Sequence, residues 1–126
     1  MSSNRNKYCI ADYQKAHSLS ERNRQYKTII AKNGDKFPVI IEKLKNVSNI
    51  LPDLEKNKFL MQNDMFINQV IYILNKKLEL NSSESIYLFA NDTLLNTSES
   101  LASIYQKHKD PDGFLYLFYT AENVFG

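Results

Sequence analysis

Phe114-Leu115-Tyr116-Leu117-Phe118-Tyr119 is the stretch on which the fold depends. Six consecutive large apolar side chains are too few for a helix of ordinary length and leave no polar face. They read as a strand covered on both sides. Asp110-Pro111-Asp112-Gly113 turns the chain into it. Working backward, Thr97 or Ser98 is expected to cap a short helix over Leu101, Ile104 and Tyr105. Ser85-Ile86-Tyr87-Leu88-Phe89-Ala90 is a third strand, closed by the turn-forming pair Asn91-Asp92. From Asp64 onward Ile67, Val70, Ile71, Leu74 and Leu78 recur at helical spacing. Lys58-Phe59-Leu60-Met61 is a short second strand, and residues 44–57 are a polar connection.

The first strand is Phe37-Pro38-Val39-Ile40-Ile41-Glu42, where Pro38, lacking an N–H, belongs at the beginning or on an exposed edge. Before it, Ser18-Leu19-Ser20-Glu21 has the spacing of a capping box, opening a helix from Leu19 to Lys32. Asn33-Gly34 ends that helix with residues that tolerate the left-handed conformation. A helical turn over Asp12 to Ala16 precedes it. Strand, strand, helix, strand, helix, strand, after two helices, is an α+β order. It resembles the ubiquitin-like β-grasp: a four-stranded mixed sheet, two sheet-packing helices and two extra amino-terminal helices. The last strand is then central and parallel to the first. Its Leu115, Leu117 and Tyr119 side faces the long helix, and the amino-terminal helices cover the other. The expected organisation is a flexible segment 1–11, a helical subdomain 12–33, a β-grasp core 34–121 and a tail 122–126.

Composition bounds the function. At 126 residues, with 43% hydrophobic and 24% charged content, the chain is sized for one globular core. No apolar run approaches the roughly 18 residues of a membrane span, and no secretory signal is expected. Cys9, the single cysteine, has no internal partner, which suits a reducing compartment. A net charge of +2 is too small to make nucleic acid the expected partner. Arg5, Lys7, Lys15, Arg22, Arg24, Lys27 and Lys32 against Asp12 and Glu21 nevertheless make the amino-terminal region basic, suited to acidic peptides or anionic headgroups. Cys9, His17 and Asp12 have the residue types of a cysteine nucleophile, but nothing local holds their geometry. His17, His108 and Cys9 match no zinc spacing. Asp110-x-Asp112-Gly113 lacks the later carboxylates of a calcium loop. Gly34, Gly113 and Gly126 do not cluster into a phosphate loop. No catalytic activity, metal or cofactor is expected. The tail Glu122-Asn123-Val124-Phe125-Gly126 ends on a residue with no side chain to hinder attack on its carboxyl carbon.

Three segments carry a family resemblance. Asp35-Lys36-Phe37-Pro38-Val39-Ile40-Ile41-Glu42-Lys43, Glu55-Lys56-Asn57-Lys58-Phe59-Leu60, and the run from Ile104-Tyr105 through Asp110-Pro111-Asp112-Gly113-Phe114-Leu115-Tyr116 to Gly126 occur in one register over roughly residues 13–126. Together they resemble the autophagy-related protein eight family of ubiquitin-like modifiers, relatives of GABA-receptor-associated protein and microtubule-associated light chain three. The resemblance implies conjugation of Gly126 to phosphatidylethanolamine through activating and conjugating enzymes, with a cysteine protease that processes or delipidates. It also implies binding of aromatic-x-x-aliphatic motifs of cargo receptors and adaptors as an added strand. By position, Ile29, Pro38, Lys58, Leu60 and Phe114 would line an aromatic pocket. Phe59, Met61, Met65, Val70 and Ile73 would line an aliphatic one, and Lys36, Lys56 and Lys58 would meet acidic residues flanking the motif. A cytoplasmic protein is implied, on the autophagosome membrane when lipidated, with no nucleic acid partner. Departures are Gln25 where relatives often carry an acid, Lys36 and Lys77 for arginine, and Met61-Gln62 for an aliphatic-proline pair. The alternatives are a modifier attached to a protein lysine, like the autophagy-related protein twelve family, and a peptide-binding module that is never conjugated.

Overall fold

The computed structural model describes residues 10–45, 50–81 and 85–121. Cys9, Arg5 and Lys7, the loop residues Asn46, Ser48 and Asn49, and the tail with Gly126 lie outside the described residues. The elements are α1 (Asp12–Ala16), α2 (Leu19–Lys32), β1 (Lys36–Lys43), β2 (Lys58–Gln62), α3 (Ile67–Lys77), β3 (Tyr87–Ala90), β4 (Thr93–Leu94), α4 (Leu101–His108) and β5 (Leu115–Thr120).

The sheet runs β2-β1-β5-β3-β4. β5 is central, parallel to β1 with Val39 opposite Leu115, and antiparallel to β3 with Leu88 opposite Tyr119. The expected four strands are five. Asn91, at φ 55°, opens a two-residue turn after which Thr93–Leu94 folds back on β3. Pro38 lies opposite Leu60 of β2, one residue before pairing with β5 begins. There the strand has one neighbour and loses no ladder bond to the missing N–H.

Alternation along the strands feeds two cores. Val39, Ile41, Leu115, Leu117 and Tyr119 face α3 and α4, meeting Ile67, Val70 and Leu74 and then Leu101 and Ile104. Ile40, Tyr116 and Phe118 face the other way and pack with Phe114, Ala11 and Tyr13, against Tyr26 and Ile29. Every residue of β5 is buried, as a strand between two layers must be.

Helix ends show which local signals operate. Ser18 accepts from the Glu21 N–H at 3.1 Å, but the Glu21 carboxylate turns to His17 Nδ1 at 3.2 Å, so only half of the expected box forms. The reciprocal half appears at α1 and α3, where Gln14 accepts from the Ala11 N–H and Gln69 from that of Phe66. The left-handed ending expected at Asn33-Gly34 is absent. Asn33 has φ −140°, and its side-chain amide and its backbone N–H bond back to the Ile29 and Ile30 carbonyls. The cap of α4 is Ser100, accepting from Ser103, rather than Thr97 or Ser98. Those two residues form the preceding turn, with the Ser98 N–H donating to Asn96 Oδ1 and the Thr97 carbonyl accepting from Asn68.

Candidate functional site

β2 is the terminal strand of the sheet, so one side of its backbone faces away from β1. Its side chains alternate. Lys58, Leu60 and Gln62 are exposed, whereas Phe59 and Met61 turn inward toward α3. Leu60 is 45% exposed, high for a leucine inside a sheet.

A cavity of about 450 Å³ opens beside this strand. Its walls are Thr28, Ile29, Lys32 and Asn33 from α2 and its cap, Pro38 of β1, Lys56 just before β2, Lys58, Phe59 and Leu60 of β2, and Phe114. Ile29, Pro38, Lys58, Leu60 and Phe114, drawn from four separate parts of the sequence, therefore converge on one concavity. Thr28, Lys32 and Asn33 belong to the same wall and were not expected from the sequence. Lys32 and Asn33 stand three and four residues after Ile29, on the same helical face, and that spacing was the available signal.

Phe114 is 1% exposed and is held by rings. Tyr13 meets it edge-on at 5.5 Å and Tyr26 at 5.9 Å, tying α1 and α2 to the cavity floor. The Lys58 ammonium lies 4.8 Å from the Tyr13 ring centroid and donates to Gln25 Oε1 at 3.1 Å. The Tyr13 hydroxyl donates to the same oxygen. Burial, and next the charge of Asp112, push the Tyr13 phenol above its ordinary pKa.

Beneath the floor lies a charge cluster that local patterns do not reveal. Asp112 is fully buried and accepts from the Phe114 N–H at 2.7 Å, Arg22 Nη1 at 2.5 Å and the Tyr116 hydroxyl at 2.5 Å. Asp110 accepts from the same Arg22 nitrogen at 3.3 Å and from Gln14 at 3.2 Å. Burial raises the Asp112 carboxyl above its usual value, while the bonds from Tyr116 and Phe114 act against that rise. Burial and the Asp112 hydrogen bond push the Tyr116 phenol far upward, keeping it a donor. The turn itself closes with the Gly113 N–H on the Asp110 carbonyl at 2.9 Å. The two aspartates thus tie α1, α2 and the start of β5 to the turn.

The second group of residues lies on the opposite face. Met61 and Val70 are 3% and 0% exposed and belong to the core, with Phe59 and Met65 partly buried against it. Ile73 is half-buried on α3. The Lys77 ammonium stands 6.0 Å from the Phe59 ring. Phe59 also lines a second cavity of about 510 Å³ between residues 52–56 and the end of α3, with Lys76, Lys77, Leu78 and Glu79. Of the lysines, Lys56 and Lys58 border the cavity beside β2, and Lys36 sits at the start of β1 opposite Gln62.

His17 pairs with Glu21, and Asp12 with Lys45 at 3.0 Å, so neither is arranged around a reacting centre. Among the described residues no group of three or more histidine, cysteine, aspartate or glutamate side chains could hold a metal. Among them, too, no helix is long and apolar enough to cross a membrane.

A mixed sheet with a central parallel last strand, a long helix across one face and two amino-terminal helices across the other defines a ubiquitin-like protein. Comparison narrows this. The family described as "Autophagy protein Atg8 ubiquitin like" matches residues 21–126. The chain is 39% identical to autophagy-related protein 8h of Arabidopsis thaliana over 93% of its own length and 97% of the relative's. It is 35% identical to autophagy-related protein 8 of Candida albicans, over 92% and 84%. The crystal structure of Trypanosoma brucei ATG8 superposes with a TM-score of 0.84 at 32% identity, covering 93% of this chain and 99% of that one. The chain belongs to the Atg8 family of ubiquitin-like autophagy proteins.

Proposed function

We propose that this chain is a conjugated membrane tag of autophagy. Gly126 is its acyl donor to phosphatidylethanolamine, and the groove beside β2 is its docking site for aromatic-x-x-aliphatic peptides. The observation that carries the docking half is the 450 Å³ cavity against the outer strand of the sheet, walled by Ile29, Pro38, Lys58, Leu60 and Phe114. A peptide laid along β2 would use that strand's outward backbone groups for affinity and the cavity for its aromatic side chain. The aliphatic residue three positions on would reach the opposite side of β2, toward Phe59, Met65 and Ile73. Met61 and Val70 form the floor there, since both are buried. Lys36, Lys56 and Lys58 give the rim a positive charge that suits acidic flanks.

Membership of the family supports the conjugation half. The reactive cysteines belong to the activating and conjugating enzymes, so this chain is the group transferred rather than the catalyst. A processing or delipidating protease and motif-bearing receptors complete the partners. The protein is placed in the cytoplasm, and on the autophagosome membrane once lipidated.

Incubation with activating and conjugating enzymes, ATP and phosphatidylethanolamine liposomes tests it. The expected product is a lipid adduct by mass, lost in Gly126→Ala. An adduct on a protein lysine, or no adduct, overturns the membrane assignment. Unchanged peptide affinity in Leu60→Ala overturns the docking assignment.

A further inference from the structure

Asn33 and Gly34 are the single asparagine–glycine pair of the chain, and they stand where α2 ends. Nothing in the backbone calls for glycine there. Gly34 lacks the positive φ of Gly113, and a Cβ built on it would meet only the Ile30 carbonyl oxygen at 3.7 Å, an ordinary contact. Gly34 is exposed, and among the described residues its N–H has no hydrogen-bond partner. Asn33 is half-buried and engaged. Its side-chain amide donates to the Ile29 carbonyl at 3.1 Å and its backbone N–H to that of Ile30 at 3.3 Å, while its own carbonyl accepts from the Lys36 N–H at 3.1 Å. A free, unhindered amide nitrogen therefore follows directly on a side-chain amide that only a helix cap holds in place.

We propose that Asn33 is a deamidation site, and that its conversion to aspartate or isoaspartate lowers the affinity of the chain for acidic peptides. The second half rests on the peptide-docking reading given above. The Gly34 nitrogen, once a base has taken its proton, attacks the Asn33 side-chain carbonyl carbon. A nitrogen–carbon bond closes a succinimide ring, the bond from that carbon to Nδ2 breaks, and ammonia leaves. Water then opens the ring at one carbonyl or the other, giving aspartate or isoaspartate. The bond from Asn33 to Ile29 restrains the attacked group, so the reaction proceeds from the frayed helix end, where that bond opens most readily. The product cannot restore the cap. A carboxylate has no N–H for the Ile29 carbonyl, and it adds negative charge at the negative end of α2. It also enters a cavity wall whose charged groups are three lysines, Lys32, Lys56 and Lys58, with no carboxylate among them. The attraction that those lysines offer an acidic ligand is thereby reduced.

The test follows the full chain by peptide mapping with mass detection during incubation at neutral and mildly alkaline pH. Position 33 is expected to show the mass gain of amide to acid before every other asparagine, faster as pH rises, with a share of isoaspartate. Gly34→Ala is expected to slow the conversion severalfold without moving the unfolding midpoint, and unfolding in urea to speed it. For the consequence, Asn33→Asp stands for the aspartate product. Asn96→Asp, at an exposed position beyond β4, is the charge control. In calorimetric titration with a synthetic peptide of acidic flank and aromatic-x-x-aliphatic core, Asn33→Asp is expected to bind about fivefold more weakly, the size of one exposed ion pair. Asn96→Asp should bind as the unaltered chain does. Conversion at another asparagine first, or a rate that neither Gly34→Ala nor urea moves, overturns the site. Undiminished binding by Asn33→Asp overturns the consequence alone. If the unaltered chain binds no such peptide, the docking reading falls and the consequence with it, while the mass readout still decides the site.

Discussion

Replacing Gly113 by alanine tests how the turn before β5 holds the cavity floor. Gly113 has φ +102°, a conformation that side chains disfavour, and costs of such backbone strain run to roughly 1–3 kcal/mol. A Cβ built there would also sit inside the Tyr26 ring, against its Cγ, Cδ2 and Cε2 atoms. The ring cannot simply swing away. It packs edge-on against Phe114 and its hydroxyl lies 3.4 Å from that of Tyr105, which also donates to the Gly113 carbonyl. Overpacking of this kind costs about 1–3 kcal/mol more. Gly113→Ala should therefore lose roughly 2–6 kcal/mol in urea unfolding, a large share of a typical domain's 5–15. In a Tyr26→Ala background only the backbone strain remains, so the double-mutant cycle should return a coupling of about 1–3 kcal/mol. The displaced ring touches Phe114, so peptide affinity should fall alongside stability. A single-variant loss under about 1 kcal/mol, or strictly additive variants, would refute the argument.

Arg22→Ala strands the buried Asp112 carboxylate and should cost about 3–5 kcal/mol in thermal or urea unfolding; adding Asp112→Asn should return part of that loss. Burial, then Lys107, lowers the His108 pKa below 6.5. The unfolded chain thus binds the proton more readily, and stability should decline as pH falls through 6.5 and below. Urea midpoints at pH 7.5 and 5.0 should diverge less in His108→Asn. Leu60→Ala removes a half-exposed wall of the cavity and should weaken aromatic-peptide binding by about 1 kcal/mol. Its unfolding midpoint should barely move.

Elements with a strong local signature were readable in advance. Helix α2 runs from Leu19 to Lys32 as expected because Ser18 is the serine placed to accept from an N–H three residues on. Where hydroxyls repeat, as in Thr97, Ser98 and Ser100, the same rule could not choose, and the bridge between Phe66 and Ser100 decided for the last. β4 is two residues long, too short for any alternation to show. Gly34 looked like a helix stop by chemistry, yet Asn33 ends the helix by folding its amide back on Ile29. At the site, the five cavity residues came from resemblance, since periodicity alone would have placed Phe59, Leu60 and Phe114 in the core. It would have been right for Phe114 as burial and wrong for Leu60. The link from Arg22 to Asp112 spans ninety positions, and no local pattern carries it. Gln25 drew notice only as a neutral residue; that it bridges Tyr13 and Lys58 depends on the packing of α1.

The parallel pairing of β1 with β5 has a mechanical consequence. A load applied beyond Thr120 and resisted by a ligand seated on β2 would travel through the β5–β1 and β1–β2 ladders. Five registered residue pairs hold each of them. Because that pull is directed along the strands, the rungs would be sheared together rather than unzipped one by one. A protein stretched between cargo and an anchor at its carboxyl end would yield late and abruptly, and single-molecule traction in that geometry should read higher rupture forces than pulling across the β3–β4 hairpin.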